Sequence, residues 1–144
     1  MPSDRGIRLS AFGFSLLFAG VVVLGYLPGL NAPIHQHHPG GDPGEHMLLG
    51  QYTISLLDDV THGLTALLLL AASLHSARAS RLVLTIFGSY YAVDAAIYLI
   101  TGVLQGTPIA SNLKLNLPHV ILSSAMLTLA FRGRANVPRA RAAS

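Results

Sequence analysis

The sequence predicts an all-α protein, a four-transmembrane-helix bundle, and three observations carry that prediction. Of the 144 residues, 51% are hydrophobic and only 10% charged, whereas soluble domains carry roughly a quarter charged residues. Four apolar stretches, each near the length needed to cross a bilayer, alternate with polar or Pro/Gly-rich segments. The basic residues between those stretches are strongly one-sided: with four spans, Arg5, Arg8, Arg78, Arg81, Arg132, Arg134, Arg139 and Arg141 share one face and Lys114 alone lies on the other. That asymmetry places both termini in the cytoplasm.

The formal charge of +3 does not point to nucleic acid, because the arginines sit at helix ends and termini rather than on a basic face interleaved with aromatics. No cysteine is present, so disulfides, thiolate metal sites and iron–sulfur clusters are excluded. The partners expected are the lipid bilayer itself and other membrane subunits or further copies of the chain.

Taken in order, residues 9–27 form the first span. The basic head and apolar run could suggest a secretory signal, but the run is long and no small-x-small cleavage site follows, so a retained helix is expected. Residues 31–47 (NAPIHQHHPGGDPGEHM) form a long outer loop, since its prolines and glycines stop a helix. The second span is residues 48–75, followed by a short basic turn over residues 75–81. Residues 82–104 form the third, whose small residues Gly88, Ala92, Ala95, Ala96 and Gly102 suit close packing against the second and fourth. Residues 115–131 form a marginal fourth span with Pro118 expected in its first turn. Residues 1–131 thus make one domain, and residues 132–144 a basic cytoplasmic tail.

The chemistry lies in polar residues that such helices normally avoid. Ser55, Asp58, Asp59 and His62 fall within two turns of the second span, Asp94 in the third, and Asn116 and His119 in the fourth. Asp58 and Asp59 point about 100° apart and cannot share neighbours. At about 1.5 Å per residue, the expected depths below the outer helix ends are roughly 13–15 Å for both acids, 20 Å for His62, 15 Å for Asp94 and 8 Å or less for His119. The residues therefore form a candidate cluster in the outer half of the bundle, with His62 facing inward. Intramembrane ionisable groups are costly and tend to be functional. Four uses are open. The groups can hydrogen-bond one another and fix helix register. They can handle protons or ions. His62, His119, Asp58, Asp59 and Asp94 can bind zinc, iron or manganese in preference to copper(I). His62 and His119 can ligate a haem, although their unequal depths argue against it. In the outer loop, His35, His37, His38 and His46 are a candidate metal-capture segment. No nucleophile elbow, phosphate loop, dinucleotide fingerprint or zinc-protease motif is present, so no enzymatic activity is expected.

Three segments resemble an uncharacterised bacterial family of small four-helix membrane proteins known only as a domain of unknown function. They are GYLPGLN (residues 25–31), LLGQYTISLLDDVTHGL (residues 48–64) and the stretch from Asn112 to His119. On this resemblance His62 and His119 match the family's later two histidines, and Asn112 and Asn116 its two asparagines. Asp58 and Asp59 stand where that family has histidine and asparagine, Ser55 where it has asparagine, and Leu115 where it has aspartate. The resemblance implies the four-helix topology and brings no activity with it.

Overall fold

The computed structural model describes residues 3–27, 30–33, 45–50 and 52–132. The first helix, α1 (Asp4–Gly25), leads to three short strands, β1 (Asn31–Pro33), β2 (His46–Leu48) and β3 (Tyr52–Ile54). Three helices follow: α2 (Leu56–His75), α3 (Ala77–Leu104) and α4 (Ile109–Phe131). All four helices are long and apolar enough to cross a membrane, so the chain is a multi-pass membrane protein of the all-α class. The strands form one antiparallel sheet in the order β1-β2-β3. Its register pairs Asn31 with Leu48 and His46 with Ile54.

The starts of α2 and α3 are set by serine caps rather than by hydropathy. Residues 48–50 and 52–54, expected to open the second helix, instead belong to β2, a turn and β3. Leu49 and Gly50 both adopt left-handed backbone, with φ of 54° and 64°, which a helix cannot accommodate. The helix starts after Ser55, whose hydroxyl accepts from the Asp58 amide while the Asp58 carboxylate accepts from the Ser55 amide. This reciprocal capping box satisfies amides that the first turn would otherwise leave unpaired. At the opposite end, the expected basic turn shrinks to Ser76 alone. Its extended backbone ends α2, and its hydroxyl accepts from the Ala79 amide to begin α3. The third helix therefore starts five residues earlier than expected, and its 28 residues span about 42 Å, more than a hydrocarbon core of about 30 Å. The fourth helix starts at Ile109, so Pro118 lies inside it, not in its first turn. Proline there leaves the Lys114 carbonyl without its helical partner, near the polar end where water can take over.

Large side chains such as Leu16, Leu67, Leu82, Ile97 and Ile121 point outward, as a lipid-facing surface requires. Inside, Ile7, Phe18, Leu69, Leu84, Tyr91 and Met126 form the core. Between them the interior is built from small hydroxyl residues. Ser15, Thr65, Ser73, Ser80 and Ser123 are buried, and each donates to a carbonyl three or four residues earlier. Such self-satisfied hydroxyls let helices approach without stranding a polar group.

The α1–α2 and α3–α4 pairs share the most extensive contacts. At the basic end Arg8 of α1 donates from Nε to the Ser73 carbonyl at 2.7 Å and from Nη2 to the Leu74 carbonyl at 3.0 Å. These are carbonyls that the end of α2 leaves exposed. Of the small residues on α3, Gly88 lies against Leu127 and Met126, and Gly102 against Asn112; Ala96 instead faces outward. A Cβ on Gly102 would stand 2.6 Å from the Asn112 side chain, which is held by its donation to the Leu99 carbonyl at 2.8 Å. Gly102→Ala should therefore destabilise the α3–α4 hairpin by about 1–3 kcal/mol, the usual cost of overpacking. Thermal unfolding in detergent micelles checks this, and Asn112→Ala in the same chain should recover much of the loss.

Candidate functional site

Two polar clusters occupy the half of the bundle that carries the sheet, an outer one at the helix mouths and one deeper. The outer cluster joins α1, β2 and α2. The Tyr26 hydroxyl, just past the end of α1, donates to Asp59 Oδ2 at 2.8 Å. His46 Nε2 on β2 lies 3.9 Å from the same oxygen, and the Tyr26 and His46 rings are 5.5 Å apart. The His46 ring also rests on Gly25, where a Cβ would come within 2.7 Å of Nε2. Glycine at the end of α1 is what lets the sheet settle onto the helices. Asp59 is buried, and its Oδ1 has no hydrogen-bond partner among the described residues. Asp58, one residue earlier, is spent on the capping box and on accepting from the Ser55 hydroxyl at 2.7 Å. The two adjacent acids thus serve different neighbours, as their angular separation requires.

The deeper cluster joins all four helices. Asp94 Oδ2 of α3 and His119 Nδ1 of α4 are 3.1 Å apart, an ion pair whenever the imidazole is protonated. His62 of α2 faces inward, only 7% exposed, with its ring 6.4 Å from that of His119. It lies nearly parallel to Phe18 of α1, at 5.7 Å, and to Tyr91 of α3, at 6.0 Å. Tyr91 in turn packs 5.5 Å from His119, and its hydroxyl shares a 3.2 Å hydrogen bond with Thr65. His62 Nδ1 is buried without a partner among the described residues. Asn116 donates to both the backbone carbonyl and the side-chain oxygen of Asn112, which locks the α4 face beside the cluster.

The depths read from the sequence need correction because the helix starts moved. With α2 beginning at Leu56, Asp58 and Asp59 lie in its first turn and His62 roughly 9 Å down. With α4 beginning at Ile109, His119 lies roughly 15 Å down. Asp94, ten residues before the end of α3 at Leu104, lies at about the same depth as His119, which is why the two meet. His62 and His119 thus differ in depth by roughly 6 Å rather than 12 Å. The His62 imidazole stacks with Phe18 and Tyr91, and the His119 ring packs against Tyr91 at a tilt.

Among the described residues, no three His, Cys, Asp or Glu side chains come together in a way that could hold a metal ion. His35, His37 and His38 lie outside the described residues; His46 is bound into the outer cluster. Phe18, Tyr91 and Thr65 were not singled out from the sequence. Tyr91 could have been, since it stands three residues before Asp94 and shares its helix face. Phe18 gave no signal, because an aromatic in an apolar run looks like any lipid-facing or core residue.

Fold and clusters together define a small helical membrane protein whose buried acids and histidines are gathered in one half. Its family follows from a match over residues 8–132 to the domain of unknown function DUF4383; the chain belongs to that family. No curated protein and no solved structure matches the chain significantly.

The Tyr26 phenol is pushed above its ordinary value of 10.0, first by its hydrogen bond to Asp59, then by burial and by the Asp59 charge. A raised value in the folded state means the stabilisation is complete below about pH 10 and lost as pH rises through the folded value. Tyr26→Phe should therefore lower stability by about 1 kcal/mol at neutral pH, a typical net hydrogen-bond contribution. It should also flatten the alkaline fall, read by unfolding across pH 8 to 12 in detergent.

Proposed function

We propose that the chain is a non-enzymatic subunit of a bacterial inner-membrane assembly, either accessory to other proteins or self-associated, with both termini cytoplasmic. The orientation rests on the arginine bias already described. The observation that carries the subunit reading is the placement of the Asp94–His119 pair. The two side chains lie about 15 Å below the outer helix ends, yet remain 26% and 30% exposed at the surface of the isolated bundle. A polar pair at that depth is costly against lipid tails and far less so against a neighbouring helix that offers hydrogen bonds. A partner covering α3 and α4 near Asp94 accounts for it.

A competing reading, in which the cluster handles protons or ions, draws support from the unpartnered, buried Nδ1 of His62 next to a titratable pair. Vesicles containing the purified chain would then pass protons or cations above the rate of empty vesicles, and His62→Phe would abolish the difference.

The subunit reading is tested by replacing Val93, beside Asp94, with a photo-crosslinking amino acid in cells. Val93 is 59% exposed on α3, and Leu67 is 66% exposed on α2, so the second position serves as a control. Crosslinking at position 93 should capture a protein, either another copy or a different subunit, and position 67 should not. Capture at neither position, or equally at both, would contradict the proposal.

A further inference from the structure

We propose that the basic end of the bundle carries a binding site for one anionic phospholipid, in the groove between α1 and the end of α2. The groove has a volume of about 540 Å³. Arg5, Arg8, Leu9, Phe12 and Leu74 line it. On α1, Arg5 and Arg8 are three residues apart and Phe12 follows four residues later, so all three lie on one helix face. The site thus has two parts, a cationic head and an apolar trough. Leu9, Phe12 and Leu74 are exposed apolar residues, and Leu16 continues the same exposed face of α1 toward the bilayer interior.

The charges in the groove are available to an anion. Asp4, the one acid lining it, lies 3.9 Å from Arg81 of α3. Among the described residues no carboxylate lies within ion-pair distance of Arg5 or Arg8. Arg8 is already oriented by the Ser73 and Leu74 carbonyls, so little side-chain freedom is lost when it meets a phosphate. Its planar fork suits phosphate oxygens. The start of α1 adds the positive end of a 22-residue helix dipole. A soluble phosphate would use only the head of this site. The adjoining trough of Leu9, Phe12 and Leu74 commits it to a ligand with an acyl chain, and basic pockets between membrane helices hold anionic lipid headgroups in this way.

Native mass spectrometry of the delipidated full chain in neutral detergent tests this, with phosphatidylglycerol, phosphatidylcholine and glycerol phosphate as probes. Phosphatidylglycerol should bind in preference to phosphatidylcholine, and glycerol phosphate should not displace it. Arg5→Gln should weaken phosphatidylglycerol about fivefold, the weight of one basic residue near an anionic surface, while Arg5→Lys should keep most of the binding. Arg78→Gln, at the same end but outside the groove, should change nothing. Equal binding of the two lipids would overturn the site. So would equal loss in the Arg5→Gln and Arg78→Gln chains, which would mean diffuse surface charge. Displacement by glycerol phosphate would mean a phosphate site without a lipid trough.

Discussion

In a bilayer a polar side chain has no water to fall back on, and the pairing of Asp94 with His119 is how this bundle meets that constraint at its deepest point. The pair ties α3 to α4 at 3.1 Å. Its position determines much of what surrounds it. Tyr91 packs against the His119 ring, Tyr91 and Phe18 are stacked at 5.2 Å, and His62 completes the group from α2. Each helix contributes a ring or a polar group, so the register of all four is coupled through one cluster. The close approach of α3 and α4 is possible because Gly88 and Gly102 leave room for Leu127 and Asn112.

The outer sheet extends the same logic to the helix mouths. Asp59 accepts from Tyr26 and faces His46, so a single carboxylate gathers α1, α2 and β2. Asp58 next to it does a local task only, closing the first turn of α2. Two adjacent acids that look equivalent in the sequence thus divide into one that fixes a helix start and one that fixes a tertiary contact. At the opposite end Arg8 closes α2 with two hydrogen bonds to its last carbonyls, so α1 braces α2 at both ends.

The number of helices and their membrane character were legible because both depend on summed hydropathy and on arginine placement, which a window of twenty residues averages well. The approach of His62, Asp94 and His119 to one another was legible because polar groups in apolar helices have to face one another, whereas Asn116 turns to Asn112 on its own helix. The helix starts were not, because they depend on single residues. Ser55 ends a strand region that reads as continuous apolar helix, and Ser76 replaces what looks like a seven-residue turn. The errors in depth followed directly from those starts. The bond from Tyr26 to Asp59 and the packing of Phe18 on His62 exist only once the sheet and α2 are folded against them.

The most direct measurement is a double-mutant cycle on the pair, comparing the unfolding of Asp94→Ala, His119→Ala and the double variant in mixed micelles. A pair that holds α3 to α4 should give a coupling energy of about 0.5–2 kcal/mol, the range measured for interhelical hydrogen bonds in membranes. Losses that simply add, with no coupling, would mean the two side chains do not act together and would contradict the cluster as the organising feature of this bundle.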